Sequence, residues 1–244
     1  MSEILVFAFL FFIGSCLGWC MEVVFRRFFS KSNPERKWIT PGFLTGPYLP
    51  IYGFGLWGMY FVSMLSSVNM TGNEAADAVI ILVTMAVVMT LIEYIAGLIF
   101  IKGMNLKLWD YTEMKGNIQG IICPQFSIIW GLLGCIYYFV INPYVIEWIV
   151  WLSHHLAFSF FIGMFFGIFV IDVWYSMQVS AGIKRFAREK EIVIKYEELK
   201  EFLAVQRSEL EEKKRFLLAF KTESPLKQQL EKYIEKRIRR HGRN

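Results

Sequence analysis

Three carboxyl side chains lie in stretches of the sequence that are otherwise apolar. Glu22, Glu93 and Asp172 each fall in a run rich in Leu, Ile, Val and Phe. Ionisable side chains inside apolar segments of membrane length are costly and usually take part in function. Each must find a partner on another helix, stay protonated or line a wet cavity. The sequence therefore predicts that the three residues share one polar site, and separate structural ion pairs are the alternative.

The three carboxyl groups differ in the partners that the sequence offers them. Glu22 stands four residues before Arg26, so the two side chains share a helix face and can form an ion pair. Glu93 has no basic residue within a turn, and Asp172 stands well before the basic run that begins at Lys184. Of the three, Glu93 is therefore the residue whose presence in an apolar segment is hardest to explain by a local ion pair.

A second unusual feature is the segment of residues 41–55, here called the Gly/Pro segment. With Thr40 it forms a run of 16 residues that is largely apolar yet contains three prolines and four glycines. Proline removes a backbone donor and disfavours helix in the preceding residue, so regular helix is not expected before about Pro50. Irregular backbone at membrane depth is tolerated only against protein or a water-filled cavity. We therefore expect a broken segment whose Pro47, Pro50, Tyr52 and Gly53 help to bind a substrate; an entry loop at the membrane interface is the alternative.

A third feature is the loop that follows the segment containing Glu93. Trp109, Asp110, Tyr111 and Asn117 give this loop polar and aromatic side chains beside Lys107 and Lys115. Asp110, Tyr111 and Asn117 are predicted to extend the polar site. In the alternative interpretation, Asp110 only caps a short interfacial helix.

The elements that carry these residues follow from composition and hydropathy. Of 244 residues, 55% are hydrophobic and 19% are charged, and the mean hydropathy is +0.42. These values exclude a disordered chain, a secreted disulfide scaffold and an ordinary soluble enzyme. The predicted fold class is all-α, a polytopic membrane helix bundle with a helical tail. Five stretches are long enough to span a bilayer, at about 4–25, 48–67, 78–101, 121–141 and 149–177.

The orientation of the bundle follows from the basic residues of its loops. Lys and Arg occur in the predicted loops 26–47 and 102–120 and in the tail, but not in 68–77 or 142–148. By the positive-inside rule the N-terminus is outside and the C-terminus is cytoplasmic. The predicted location is the plasma membrane, with the three carboxyl groups in the cytoplasmic half of the bundle.

The last quarter of the chain has a different composition. Residues 182–244 hold 18 of the 26 Lys and Arg and 11 of the 21 Asp and Glu, so we divide the chain into a membrane bundle at 1–181 and a basic cytoplasmic tail at 182–244. Apolar residues at 4-3 spacing over 192–220 predict a coiled coil that binds a partner or a second copy of the chain, or else a helical hairpin. Basic side chains would favour anionic membrane lipid, and a nucleic-acid partner is not expected.

Motifs for catalysis and cofactor binding do not stand out. The sequence has no phosphate-binding Gly-rich loop, nucleophile elbow or zinc-binding pattern. No catalytic, cofactor-binding or metal-binding residue is therefore predicted, an enzyme is not favoured, and any ATP would have to be bound by another chain.

Several short motifs together resemble a known family. The residues that carry the resemblance are Gly18-Trp19 with Glu22, Gly46-Pro47, Pro50 to Gly53, Gly55, Glu93, Trp109 to Tyr111, Asn117, Gly120, Ser127 and Trp130-Gly131. Residues 10–145 resemble the CmpB-like family of bacterial membrane proteins, which is named for ABC-transporter permeases. The resemblance implies a membrane subunit that works with a separate ATPase.

Three functions remain open at the level of sequence. The first is a permease-like transport subunit of unknown substrate with its polar site in the cytoplasmic half of the bundle. The second is a membrane scaffold or sensor that acts through the tail, and the third, less favoured, is an intramembrane lipid-modifying enzyme that uses carboxyl groups as acid and base.

Overall fold

A computed structural model describes residues 3–30, 33, 36–67, 70–189, 193–196, 198–200 and 231–232. The chain is mostly helical there, which confirms the all-α prediction. The helices are α1 (Glu3–Phe28), α2 (Pro50–Ser63), α3 (Glu74–Met104), α4 (Pro124–Ile136), α5 (Asn142–His154) and α6 (Ser159–Glu189). Of the coiled coil predicted at 192–220, Ile194–Lys195 form a strand instead of helix. Residues 192, 197 and 201–220 lie outside the described part, so over them the coiled coil stays a prediction.

Four helical stretches are long and apolar enough to cross a membrane. They are Glu3–Phe28, Glu74–Met104, Pro124–His154 and Leu156–Arg185. The predicted second span instead contains α2, whose 14 residues rise only about 21 Å. Because a bilayer core is about 30 Å thick, α2 is too short to cross it alone. The count of five spans is therefore not confirmed and stays a prediction, as does the orientation of the tail.

The predicted loop at 142–148 is wrong, because these residues are helical. Residues Tyr137–Ile141 form a π-helical turn that joins α4 to α5, and the chain turns only at His155. Pro143 lies in the first turn of α5, where a missing N–H is tolerated. The wider π turn accommodates the proline without ending the helix. The predicted spans 121–141 and 149–177 accordingly shift to 124–154 and 156–185.

The directions of the helices follow from residues that meet. Leu49, just before α2, donates its N–H to the carbonyl of Ser15 at 2.9 Å, whereas Trp57 donates Nε1–H to the carbonyl of Phe7 at 2.7 Å. Later residues of α2 thus meet earlier residues of α1, so the two helices are antiparallel. Since Ser15 is near the middle of α1, α2 begins halfway along its neighbour.

The chain forms two compact units. The first comprises Met1–Ala96 and Tyr111–Ser176, and the second comprises Gly97–Asp110 and Met177–Asn244. The core of the first is built around fully buried side chains from several helices, namely Leu10, Ile81, Met85, Met89, Tyr137 and Val145. The predicted division into a bundle at 1–181 and a tail at 182–244 stays a prediction.

The second unit joins the start of the tail to the segment after α3. Strands β1 (Leu106–Lys107) and β2 (Ile194–Lys195) pair in parallel. Asp110 accepts ion pairs from Lys107 at 3.0 Å and from Lys195 at 2.8 Å. Asp110 caps no helix, because residues 108–112 are not helical, so the capping interpretation is wrong. Asp110 binds two lysines instead.

Candidate functional site

Glu93 lies in α3 and is buried, with only 4% of its surface exposed. Its two carboxyl oxygens have different partners. Oε1 accepts the hydroxyl of Tyr111 at 3.0 Å, and Oε2 accepts Nε1–H of Trp130 at 2.9 Å. A buried carboxyl group is tolerated only when it is hydrogen-bonded, and these two neutral donors supply the bonds.

Tyr111 is held in place by the loop that follows it. Its N–H donates to the carbonyl of Gly120 at 2.9 Å, and its ring stacks on Phe126 with centroids 4.4 Å apart. The side chain of Asn117 donates to the carbonyls of Thr112 and Met114 and accepts the N–H of Gly120. The side chain of Asn117 therefore stabilises the conformation of the loop that follows Tyr111.

The hydroxyl of Tyr111 remains a donor at physiological pH. Burial, and then the nearby carboxyl group of Glu93, raise the pKa of Tyr111 well above its ordinary range. Because the hydroxyl of Tyr111 keeps its proton, it can donate the hydrogen bond to the carboxyl group of Glu93.

Glu22 forms the ion pair expected from its spacing and reaches one further partner. Nε of Arg26 donates to its Oε1 at 2.8 Å, and the hydroxyl of Tyr52 donates to its Oε2 at 3.0 Å. The ring of Tyr52 meets that of Trp130 edge to face, with centroids 5.8 Å apart. Glu22 and Glu93 are thus linked through these two aromatic side chains. We call Glu22, Tyr52, Glu93, Tyr111 and Trp130 the Glu93 cluster.

Small residues allow Tyr52 to reach this position. A Cβ atom at Gly18 of α1 would collide with the ring of Tyr52, and one at Gly53 would collide with Oγ of Ser15. Glycine at both positions lets α1 and α2 approach closely. Pro50 is in the first turn of α2, where its fixed φ suits the start of a helix.

Asp172 of α6 is held by the Gly/Pro segment and not by the Glu93 cluster. Its Oδ1 accepts the hydroxyl of Thr45 at 2.7 Å, and its Oδ2 accepts the N–H of Gly46 at 2.8 Å and the hydroxyl of Tyr48 at 2.6 Å. The N–H of Thr45 and the hydroxyl of Ser176 donate to the same carboxylate. We call this group the Asp172 anchor, because it fixes the irregular backbone before α2 to α6.

The predicted site residues therefore fall into three groups. Glu22, Tyr52, Glu93 and Tyr111 come together, with Asn117 supporting Tyr111. Asp172 binds the Gly/Pro segment, where Pro47 is exposed, while Asp110 belongs to the second unit. The hypothesis of one site shared by three carboxylates is thus narrowed to a pair, Glu22 and Glu93.

Sequence reasoning missed three residues of these groups. Trp130 was noticed only as part of a family pattern, and Thr45 and Tyr48 were not assigned a role. Trp130 is 37 residues from Glu93, and Thr45 is 127 residues from Asp172. Only Trp130 could have been identified from the sequence. The Nε1–H group of a buried tryptophan usually donates a hydrogen bond to an acceptor, so a partner for it could have been expected.

The Glu93 cluster and the Asp172 anchor are both built on hydrogen-bonded carboxyl groups. Within the described residues, no set of three His, Cys, Asp or Glu side chains is close enough to hold a metal ion. The oxygens of Glu93 face aromatic N–H and O–H donors.

Four apolar helices of membrane length, with hydrogen-bonded carboxylates packed between them, define a polytopic membrane protein. The chain belongs to the family described as "Putative ABC-transporter type IV", whose family model matches residues 9–177. The resemblance predicted from the short motifs is confirmed, and the match extends beyond residue 145 into α6. No curated protein and no solved structure matches the chain.

Proposed function

We propose that this protein is the permease-like membrane subunit of an ABC-type transporter, and that the Glu93 cluster lies on the path of its substrate. The observation that carries the proposal is the burial of Glu93 in a helix of membrane length, where its two oxygens bind only neutral donors among the described residues. Such a group is expensive to keep in a membrane protein, so a functional role accounts for it best.

The Asp172 anchor supports the same function. The segment before α2 is irregular backbone, and its polar groups at Thr45 and Gly46 bind Asp172. Irregular backbone at membrane depth is tolerated only where it is buried in protein or lines a water-filled cavity, and a segment that lines a substrate pathway meets this condition. We propose the orientation expected from the distribution of Lys and Arg, with Glu93 in the cytoplasmic half and the tail in the cytoplasm of the cell. This orientation requires the Gly/Pro segment and α2 together to make one crossing.

The proposal is tested by identifying what accompanies the protein. The full-length chain is purified from its native membrane in mild detergent, and the bound chains are identified by mass spectrometry and assayed for ATP hydrolysis. The expected result is a stoichiometric ATPase subunit. A homogeneous complex without any nucleotide-binding chain would contradict the proposal.

A second candidate, a scaffold or sensor that acts through the tail, is favoured by one observation. Lys195 at the start of the tail binds Asp110, and Ile194 pairs with Leu106 of the loop after α3. A signal could pass between tail and loop at this junction. Truncation after residue 200 separates the two functions: the permease keeps its ATPase partner, whereas a scaffold loses its cytoplasmic partner.

A further inference from the structure

The charges around the Glu93 cluster are not balanced within the described part of the chain. Glu22 is matched by Arg26, whose Nε is 2.8 Å from its carboxylate. Glu93 receives only the hydroxyl of Tyr111 and Nε1–H of Trp130. Two carboxyl groups and one guanidinium leave one negative charge without a cation. Neutral donors reduce the cost of burying that charge but do not cancel it.

The groups that surround the unmatched charge are aromatic. Tyr52 meets Trp130 edge to face, and Tyr111 stacks on Phe126. Aromatic rings beside a carboxylate attract organic cations, because the ring quadrupole adds to the charge of the carboxylate. A small metal cation would instead require several oxygen or nitrogen ligands, and the described residues offer no such set here.

The two donors to Glu93 come from different kinds of structure. Trp130 approaches Oε2 from α4, whereas Tyr111 approaches Oε1 from the irregular loop that Asn117 holds. A loop is displaced more easily than a packed helix. A ligand that takes the place of the Tyr111 hydroxyl would reach the carboxylate without disturbing α3 or α4.

We propose that the Glu93 cluster binds an organic monovalent cation bearing an alkylammonium group, with Glu93 as its counter-ion and the rings of Tyr52, Tyr111 and Trp130 around it. The inference rests on the proposed function, since it names the class of substrate for the same site. Glu22 stays paired with Arg26 and orients Tyr52 within the site.

The test uses choline as a probe and its uncharged tert-butyl isostere as the matched ligand. Binding to the full-length protein in detergent is measured by isothermal titration calorimetry. Choline is expected to bind at least about tenfold more tightly than the isostere, because only choline carries the charge. Equal affinities, or no binding of choline, would overturn the inference.

Variants locate the binding and control for folding. Glu93→Gln is expected to lose choline binding, and Glu93→Asp, which keeps the charge, is expected to retain it more weakly. Glu147→Gln is the matched control, because Glu147 is exposed on α5. Binding by Glu93→Gln equal to that of the unmodified protein would overturn the inference, as would its loss in Glu147→Gln.

The two proposals fail in different ways. A preparation that contains an ATPase subunit but binds choline no better than its uncharged isostere would contradict only the proposed cation site. A preparation that binds choline through Glu93 but has no ATPase subunit would contradict the transporter proposal and support the cation site.

Discussion

Individual carboxyl groups differ here in how their negative charge is stabilised. Glu22 has a guanidinium, Glu93 has two aromatic donors, and Asp172 has backbone N–H groups and hydroxyls from a segment more than 120 residues away in sequence. The local pair Glu22–Arg26 is predictable because helix geometry fixes it. The partners of Glu93 and Asp172 depend on which helices and loops pack together, so spacing in the sequence does not reveal them.

Replacing Asp172 tests the anchor. Asp172→Asn removes the charge that strengthens bonds from Thr45, Gly46 and Tyr48, and it turns one acceptor into a donor that faces other donors. We expect a loss of about 1–3 kcal/mol in stability, measured as a lower midpoint of thermal unfolding in detergent. Glu147→Gln should leave the midpoint unchanged. An equal midpoint for Asp172→Asn would show that the anchor does not stabilise the fold.

High pH should weaken the contacts made by two tyrosines. Burial is the main cause that raises the pKa of both tyrosines. The second cause is the hydrogen bond to Asp172 for Tyr48 and the charge of Glu93 for Tyr111. Because the folded pKa exceeds the unfolded value of about 10, this contribution to stability is complete below about pH 10 and is lost as the pH rises further.

Thermal unfolding between neutral pH and pH above about 10 measures this loss. Tyr48→Phe and Tyr111→Phe should each show a shallower fall in the unfolding midpoint than the unmodified protein, since phenylalanine has no proton to lose. Parallel curves for all three proteins would contradict the assignment of the two hydroxyls as donors to carboxylates.

At the scale of elements, short sequence rules predict where helices begin better than where the chain turns. Pro50 marks the start of α2 because proline favours the first helical turn, as expected from the sequence. Asn142-Pro143 was interpreted as part of a loop, yet the π turn at Tyr137–Ile141 lets the helix pass through it. A proline is compatible with both outcomes, so its position in the sequence alone does not decide between them.

The close packing of α1 on α2 sets the position of Tyr52. Gly18→Ala would place a methyl group against the Tyr52 ring, whereas Gly163 of α6 has open space around the same position. We expect Gly18→Ala to destabilise the protein by about 1–3 kcal/mol and to weaken any binding that requires Tyr52. Gly163→Ala, the matched control, should be close to neutral in the same unfolding measurement. Equal effects of the two substitutions would contradict the role of this contact.

At the scale of the whole molecule, the distribution of charge predicts how the protein sits in its membrane. The loop around Gly72 precedes α3 and has no Lys or Arg, whereas residues 182–244 hold 18. A reporter phosphatase that works only outside the cytoplasm should be active when inserted at residue 72 and inactive when fused after residue 244. A fluorescent protein that folds only in the cytoplasm should show the opposite pattern. Activity of the phosphatase at both positions would contradict the three crossings that are predicted between residue 72 and residue 244.

The functional importance of the buried carboxyl group is the claim on which the other proposals depend. Its most direct test is the rate of ATP hydrolysis by the purified complex in vesicles of native lipid, with Glu93→Gln compared with Glu147→Gln. Loss of the charge that Trp130 and Tyr111 hold is expected to reduce the rate about tenfold or more, because tenfold corresponds to about 1.4 kcal/mol, which is no more than one hydrogen bond to a charged group contributes. The control is expected to keep the full rate. A fully folded Glu93→Gln complex that hydrolyses ATP as fast as the control would contradict the claim.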